Sequence, residues 1–277
     1  MKKKYIFLIV IFIIACLFVC KDTGVICVKG ANRVSAFMPF YGVKPSKLVQ
    51  RSVFATDYST SSPERKHNVE LAVKSLNDTF VDINGEFSFN MVVGERTEKR
   101  GYQNAKIISN NKFIDGIGGG VCQVSSTLYN AILLADLKVI EVHAHSVAVS
   151  YIEPSFDAMV NYYCADLKFI NTTNSPVIIK AKANGEKIVI TIIGEQMDYR
   201  IKRQNKVVER IEPTEEFIED ETGEYGLTAG EEQIVFSGKE GIISEGYLVR
   251  VGKNRIDKTL IRKDSYKAVN KVIVRGK

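Results

Sequence analysis

Three consecutive glycines, Gly118, Gly119 and Gly120, run straight into Val121-Cys122-Gln123-Val124-Ser125-Ser126-Thr127-Leu128-Tyr129-Asn130-Ala131. No other stretch limits the fold so strongly. Glycine admits backbone conformations closed to other residues. Behind the run, Val121, Val124, Leu128, Ile132 and Ala135 recur at helical spacing. The chain therefore turns tightly and enters a helix whose apolar face needs a second layer. That helix opens on a thiol. N–H groups at a helix start favour an anion there, which lowers a cysteine pKa and makes Cys122 a candidate nucleophile.

The elements around this helix are readable in outline. Ser62-Pro63 is a helix start, with Ser62 as cap and proline at the first helical position. Val69, Ala72, Val73, Leu76 and Phe80 follow with a helical period. After the central helix, His143 to Ile152 and Ala158 to Ile170 read as a β-hairpin about Glu153-Pro154-Ser155. Val177 to Ile179 and Ile188 to Ile193 read as two more strands about the Asn184-Gly185 turn. Beyond Gly194 short β-type runs alternate with charges and glycines, which predicts a small all-β module.

A thiol nucleophile needs a base and a group that orients it. Of three histidines, His67 sits beside Arg65 and Lys66 on a solvated helix face, whereas His143 and His145 follow the Cys122 helix. Residues two apart share one face of a strand. With the hairpin turn centred near Ser155, position 165 or 166 lies opposite His145, which selects Asp166; Asp157, at the turn, is the alternative third member. His143, His145 and Cys122 also fit an open zinc site, although neither paired cysteines nor an HExxH helix is present. No cofactor and no resident metal are expected.

Residues 1–20 read as a signal anchor: Met1 to Lys4 form a basic start and Tyr5 to Val19 are almost wholly apolar. The lysines stay inside, so the rest of the chain is extracytoplasmic. Ile13-Ile14-Ala15-Cys16 resembles a lipoprotein cleavage box, making lipidation at Cys16 the second possibility. Cys27, Cys122 and Cys164 remain, an odd and sparse set that argues against a disulfide scaffold. Cys164 reads as a small buried filler on a strand. The net charge of +6 comes without a Lys/Arg stripe interleaved with aromatics, so nucleic acid is not an expected partner.

Phe87-Ser88-Phe89-Asn90, Val93-Gly94-Glu95-Arg96-Thr97, Arg100-Gly101-Tyr102, the Gly118 to Asn130 motif, His145-Ser146 and Asp157-Ala158 together resemble the VanW family of bacterial envelope proteins, over roughly residues 60 to 195. The resemblance implies an L,D-transpeptidase that passes a stem peptide from a cysteine thioester to an amine. Two departures from the family pattern are Phe156, where a basic residue is common, and Glu141-Val142 in place of a Glu-Arg pair. The tail from Lys258 to Gly276 resembles a small all-β wall-associated module.

The expected fold is α+β: a Cys-bearing central helix packed on an antiparallel sheet, in papain or transglutaminase-like order, then a small all-β domain. The expected domains are a signal anchor (1–20), a linker (21–61), a VanW-like catalytic domain (62–196) and a wall-associated domain (197–277). Cys122 attacks, His145 moves the proton and Asp166 orients it. Backbone N–H groups near Gly120 and Cys122 hold the oxyanion. Arg96 and Arg100 clamp substrate carboxylates, and His143 and Asp157 lie on the substrate side. The partners are peptidoglycan stem peptides and the cell membrane. The alternatives are a peptidoglycan cysteine endopeptidase, or a wall-binding protein without catalysis.

Overall fold

A computed structural model describes residues 48–109 and 112–277, all within one unit, Lys44–Lys277. The signal-anchor reading and Cys16 lie outside the described residues. Among the described residues no helix is long and apolar enough to cross a membrane.

The first half of the described chain carries β1 (Val49–Asp57), α1 (Pro63–Leu76), β2 (Thr79–Val81), β3 (Glu86–Ser88), α2 (Phe89–Val93), β4 (Asn104–Ser109), β5 (Lys112–Ile117) and α3 (Val121–Leu134). Then come β6 (Lys138–Glu141), β7 (Lys168–Ile170), β8 (Val177–Ala183) and β9 (Lys187–Gly194). The last part is β10 (Arg200–Ile211), β11 (Glu215–Glu219), β12 (Glu232–Phe236), β13 (Gly241–Val251), β14 (Ile256–Tyr266) and β15 (Lys271–Arg275). The sheets run β1-β9-β8-β2, β3-β7-β6, β4-β5, β10-β13-β14 and β11-β15-β12. Every named strand pair is antiparallel except β11 with β15.

The α+β expectation, one helix packed on one antiparallel sheet, is corrected. The described chain is mostly β, with 45% strand against 16% helix and three helices, spread over several antiparallel sheets. One strand read as linker is β1. β1 turns the hydroxyls of Ser52 and Thr56 inward on either side of a half-buried Phe54, so residues 49–57 look like polar linker. Its inward hydroxyls are bound to α3: Ser52 Oγ donates to Ala131 O at 2.6 Å, and Thr56 Oγ1 lies 2.8 Å from Thr127 Oγ1. β10 alternates between exposed and half-buried positions only over its first half and is fully exposed beyond it, within the region read from sequence as an all-β module. The papain-like order fails too. No regular strand lies between β6 and β7, where isolated bridges His143↔Met159 and Asn161↔Ala165 replace the hairpin.

Ser62 caps α1 by accepting from the Arg65 N–H, with Pro63 in the first turn. The core gathers Val69, Val73 and Leu76 of α1, Leu128 and Ile132 of α3, and Ile179, Ile188, Ile190 and Ile192 of β8 and β9. Each buried aliphatic side chain contributes roughly 1.5–3 kcal/mol. Leu248 of β13 joins the same cluster, and Ile201 and Ile261 pack against it, so the C-terminal strands share this core.

α3 is buried on nearly every face, yet four of its buried residues are Ser125, Ser126, Thr127 and Asn130. Buried polar groups must be paired. Apart from Thr127, they find their partners in the irregular strip 156–158. Ser125 Oγ donates to Ala158 O at 2.6 Å, Ala158 N donates to Ser126 Oγ at 2.9 Å, and Asn130 Nδ2 donates to Phe156 O at 2.8 Å. A segment without a β ladder is thereby held in place from the helix.

Candidate active site

Gly120 caps α3 with φ +105°, in the left-handed region, and a Cβ there would stand 3.0 Å from Arg65 Cγ and from Val69 Cγ2. The glycine run thus lets α1 and α3 approach closely and sets Cys122 in the first turn. The first-turn N–H groups of a helix have no intrahelical partner, so that of Cys122 is available to an oxyanion beside its sulfur. The thiol is half-buried and donates to Val160 O at 3.5 Å.

His145 closes the site. Its imidazole shares one cleft with the Cys122 thiol and interacts with it electrostatically. Nδ1 lies 2.6 Å from Asp157 Oδ2, which also accepts the His145 backbone N–H at 2.7 Å. That pairing leaves Nε2 for sulfur. The side chains of His145 and Asp157 are 6% and 1% exposed, so water screens the pair little. Burial alone pushes the imidazole pKa down. The hydrogen bond with Asp157 and the interaction with Cys122 outweigh burial and hold His145 at about 9. Burial likewise pushes the Cys122 thiol up, but the interaction with His145, with Val160 and Arg96 behind it, brings it below its ordinary value. Asp157 is lowered against its own burial by His145, Arg262 and Tyr266. All three shifts favour a thiolate–imidazolium pair beside an ionised carboxylate.

The structure brings Cys122, His145 and Asp157 together, and it engages Asp166 elsewhere. The bridge His143↔Met159 places residue 157 opposite His145; the expected turn at Ser155 put position 165 or 166 there. Asp166 instead anchors α2. Its Oδ1 accepts from Asn90 N at 2.9 Å and Leu167 N at 2.8 Å, and its Oδ2 accepts from Ser88 Oγ at 2.5 Å. His143 turns to Glu141, with Nε2 3.0 Å from Oε1. Among the described residues no three His, Cys, Asp or Glu side chains are grouped to hold a metal ion. Arg100 packs over Gly94 and donates to Glu95 O, on the surface. Cys164 is exposed rather than a core filler, because the chain turns tightly about Tyr163.

Cys122 and His145 open into a cleft of about 520 Å³, which Gly118, Gly119 and Gly120 also line. Arg96 reaches it from below, donating to Asn90 Oδ1 at 2.7 Å and Gly94 O at 3.0 Å. Sequence reasoning missed Arg65, also in the cleft, which donates to Ser61 Oγ at 2.6 Å and Gln123 Oε1 at 2.8 Å. The hydrogen-bond partners of both guanidiniums are neutral oxygens, so the cleft carries positive charge ready for an anion. Gln123 fixes this arrangement by donating to Thr56 Oγ1 and Asp57 O of β1. Its place directly after the cysteine was the available signal. Tyr151 also lines the cleft, its hydroxyl pKa pushed well above the ordinary value by burial and then by the Cys122 charge.

The family described as VanW like protein matches residues 64–193. The chain is 37% identical over 163 residues to "Uncharacterized protein YoaR" of Bacillus subtilis (strain 168), a match covering 58% of this chain and 54% of that protein. It is 28% identical over 135 residues to "Vancomycin B-type resistance protein VanW" of Enterococcus faecalis (strain ATCC 700802 / V583), covering 47% and 49%. The chain thus spans about half the length of these curated relatives. Among solved structures, "Crystal structure of HP0197-G5" aligns with 29% of this chain and 100% of its own at 18% identity and TM-score 0.17. "IgA1 Protease G5 domain structure" aligns with 29% and 94% at 16% identity and TM-score 0.19.

Proposed function

Because the chain belongs, through residues 64–193, to the VanW family of envelope-related proteins, we propose that it is an extracytoplasmic, membrane-anchored cysteine acyltransferase that crosslinks peptidoglycan stem peptides by L,D-transpeptidation. One observation carries the reading: a thiol and an imidazole lining one cationic cleft, the imidazole hydrogen-bonded to a buried carboxylate.

Cys122 Sγ attacks the carbonyl carbon of the third stem residue, and the oxyanion is received by the Cys122 N–H at the start of α3. The C–N bond to terminal D-alanine breaks as His145 Nε2 gives its proton to the departing amine, leaving a thioester. An acceptor amine then loses its proton to His145 and attacks the same carbon. The new C–N bond forms, the C–S bond breaks, and the thiolate–imidazolium pair is restored. Asp157 holds the imidazole in the required tautomer throughout. Arg96 and Arg65 bind the stem carboxylate next to the scissile bond.

Incubation of the detergent-solubilised full chain with purified muropeptides, followed by mass spectrometry, tests this. Dimers with equimolar release of D-alanine, absent with Cys122→Ala, are the expected products. Cleaved stems without dimers mean that water replaces the amine and the protein is an endopeptidase. Unchanged muropeptides with both proteins leave only wall binding and overturn catalysis.

A further inference from the structure

We infer that the C-terminal strands are part of the reactive site, with Tyr266 and Arg262 of β14 acting as positioning residues that hold Asp157 for His145. The inference rests on the reading of Cys122 as nucleophile and extends it to residues outside the family match.

Asp157 Oδ2 is occupied by His145. Its other oxygen, Oδ1, receives Tyr266 Oη–H at 2.5 Å and Arg262 Nη2 at 3.4 Å. Arg262 Nη1 also donates to the Asp157 carbonyl at 2.6 Å, while its Nε is held by Asp264. Tyr266 accepts the Ser155 N–H at 2.7 Å, so one phenol fixes both the carboxylate and the backbone two residues before it. Tyr266 is wholly buried. Neighbouring strands close the same strip. Ser244 Oγ lies 2.7 Å from Ser155 Oγ, and Asn205 Nδ2 donates to Pro154 O at 2.7 Å. The Arg203 guanidinium of β10 sits 4.6 Å above the Phe156 ring.

The strip needs this support. Between β6 and β7 it has isolated bridges and no ladder. α3 holds its 156 and 158 carbonyls, but those bonds do not orient the 157 carboxyl. A carboxylate free to rotate would still neutralise charge nearby and would lose its in-line bond to Nδ1. Two donors on Oδ1 from an element about a hundred residues away remove that freedom. The charged and titratable groups around Asp157 are His145 within the strip, Arg262, Asp264 and Tyr266 on β14, and Tyr129 on α3. Those around Cys122 are His145, Arg96, Arg65 and Tyr151. Tyr266→Phe changes none of their charges, so its effect on thiol ionisation reads geometry alone.

The test is the pH profile of Cys122 alkylation by iodoacetamide in the detergent-solubilised full chain, with Cys122 resolved from the other four cysteines by peptide mass. Wild type alkylates well below the ordinary thiol range. Tyr266→Phe raises the midpoint and slows alkylation at pH 6 by roughly tenfold, the scale of one hydrogen bond to a charged group. Ser244→Ala, which loosens the same seam without touching Asp157, leaves the midpoint in place. Arg262→Lys, which keeps the charge and loses the fork, moves it in the same direction as Tyr266→Phe and serves where the phenylalanine variant does not fold. An unshifted midpoint in Tyr266→Phe and Arg262→Lys, or an equal shift in Ser244→Ala, overturns the positioning role. An unreactive wild-type thiol instead overturns the nucleophile reading on which it rests.

Discussion

Replacing Asp157 by Asn separates the observed site from the one expected from sequence. The imidazole of His145 is raised from 6.5 to about 9 against the pull of burial. That step corresponds to about 3 kcal/mol in favour of imidazolium. The Asp157 hydrogen bond leads the upward contributions, ahead of those from Cys122. Asp157→Asn therefore lowers the His145 midpoint by about one unit or more. His145 is raised on folding, so its contribution to stability is complete below 6.5 and is lost as pH rises through about 9. Asp157 is lowered, so its contribution is present above the ordinary carboxylate value and is lost as pH falls through the folded one. The pair therefore stabilises the fold most at intermediate pH. Breaking it costs about 3 kcal/mol, a fall of roughly 6–12 °C in Tm for a unit of this size. The chain has only three histidines, so the ring signal of His145 can be followed by NMR titration. Asp166→Asn is the control: it removes acceptors at the start of α2, costs about 1 kcal/mol, and leaves the His145 midpoint unchanged. A wild-type His145 titrating near 6.5, or a midpoint lowered by Asp166→Asn and not by Asp157→Asn, refutes the reasoning.

Gly120→Ala puts a Cβ against Arg65 and Val69 at a backbone φ of +105°. It lowers stability by about 1–3 kcal/mol, measured by urea unfolding, whereas Gly185→Ala, with nothing near its Cβ, costs only the backbone strain of its positive φ. Arg96→Gln and Arg65→Gln, each placed in a Cys122→Ala background, weaken binding of a stem peptide by roughly ten- to a hundredfold by calorimetry. An amidated stem shows no such loss, because the carboxylate that the guanidiniums recognise is gone.

How much of this was legible depended on whether a residue's partner lay nearby in the chain. The Ser62-Pro63 helix start, the helix behind Gly120 and the exposure of Cys122 and His145 to one another follow from local pattern and hydrophobic period. The third member did not. A turn centre displaced by four residues moves a cross-strand partner by twice that, and the proline at 154 drew the centre away from the bridge at His143↔Met159. β1 escaped notice because its two fully buried positions are hydroxyls satisfied by α3, which leaves Phe54 as a weak apolar signature. Arg65 looked like one more surface cation of a charged helix until Gln123 and the glycine run drew it over the thiol. Tyr266 and Arg262 had no sequence signal at all, since only tertiary closure brings them to Asp157.

The hydroxyl and amide face of α3 has a consequence for how this protein can change. Swapping Ser125, Ser126 and Asn130 for aliphatics would suit a helix so thoroughly enclosed, and would give a better oil-filled interior. It would also strand the carbonyls of Phe156 and Ala158 and loosen the backbone that carries the intervening acid. Mutations that improve the interior there are therefore ones that disarm the thiol, and a search for hardier variants of this chain does better among the core positions of β8 and β9, where no reacting group depends on what is replaced.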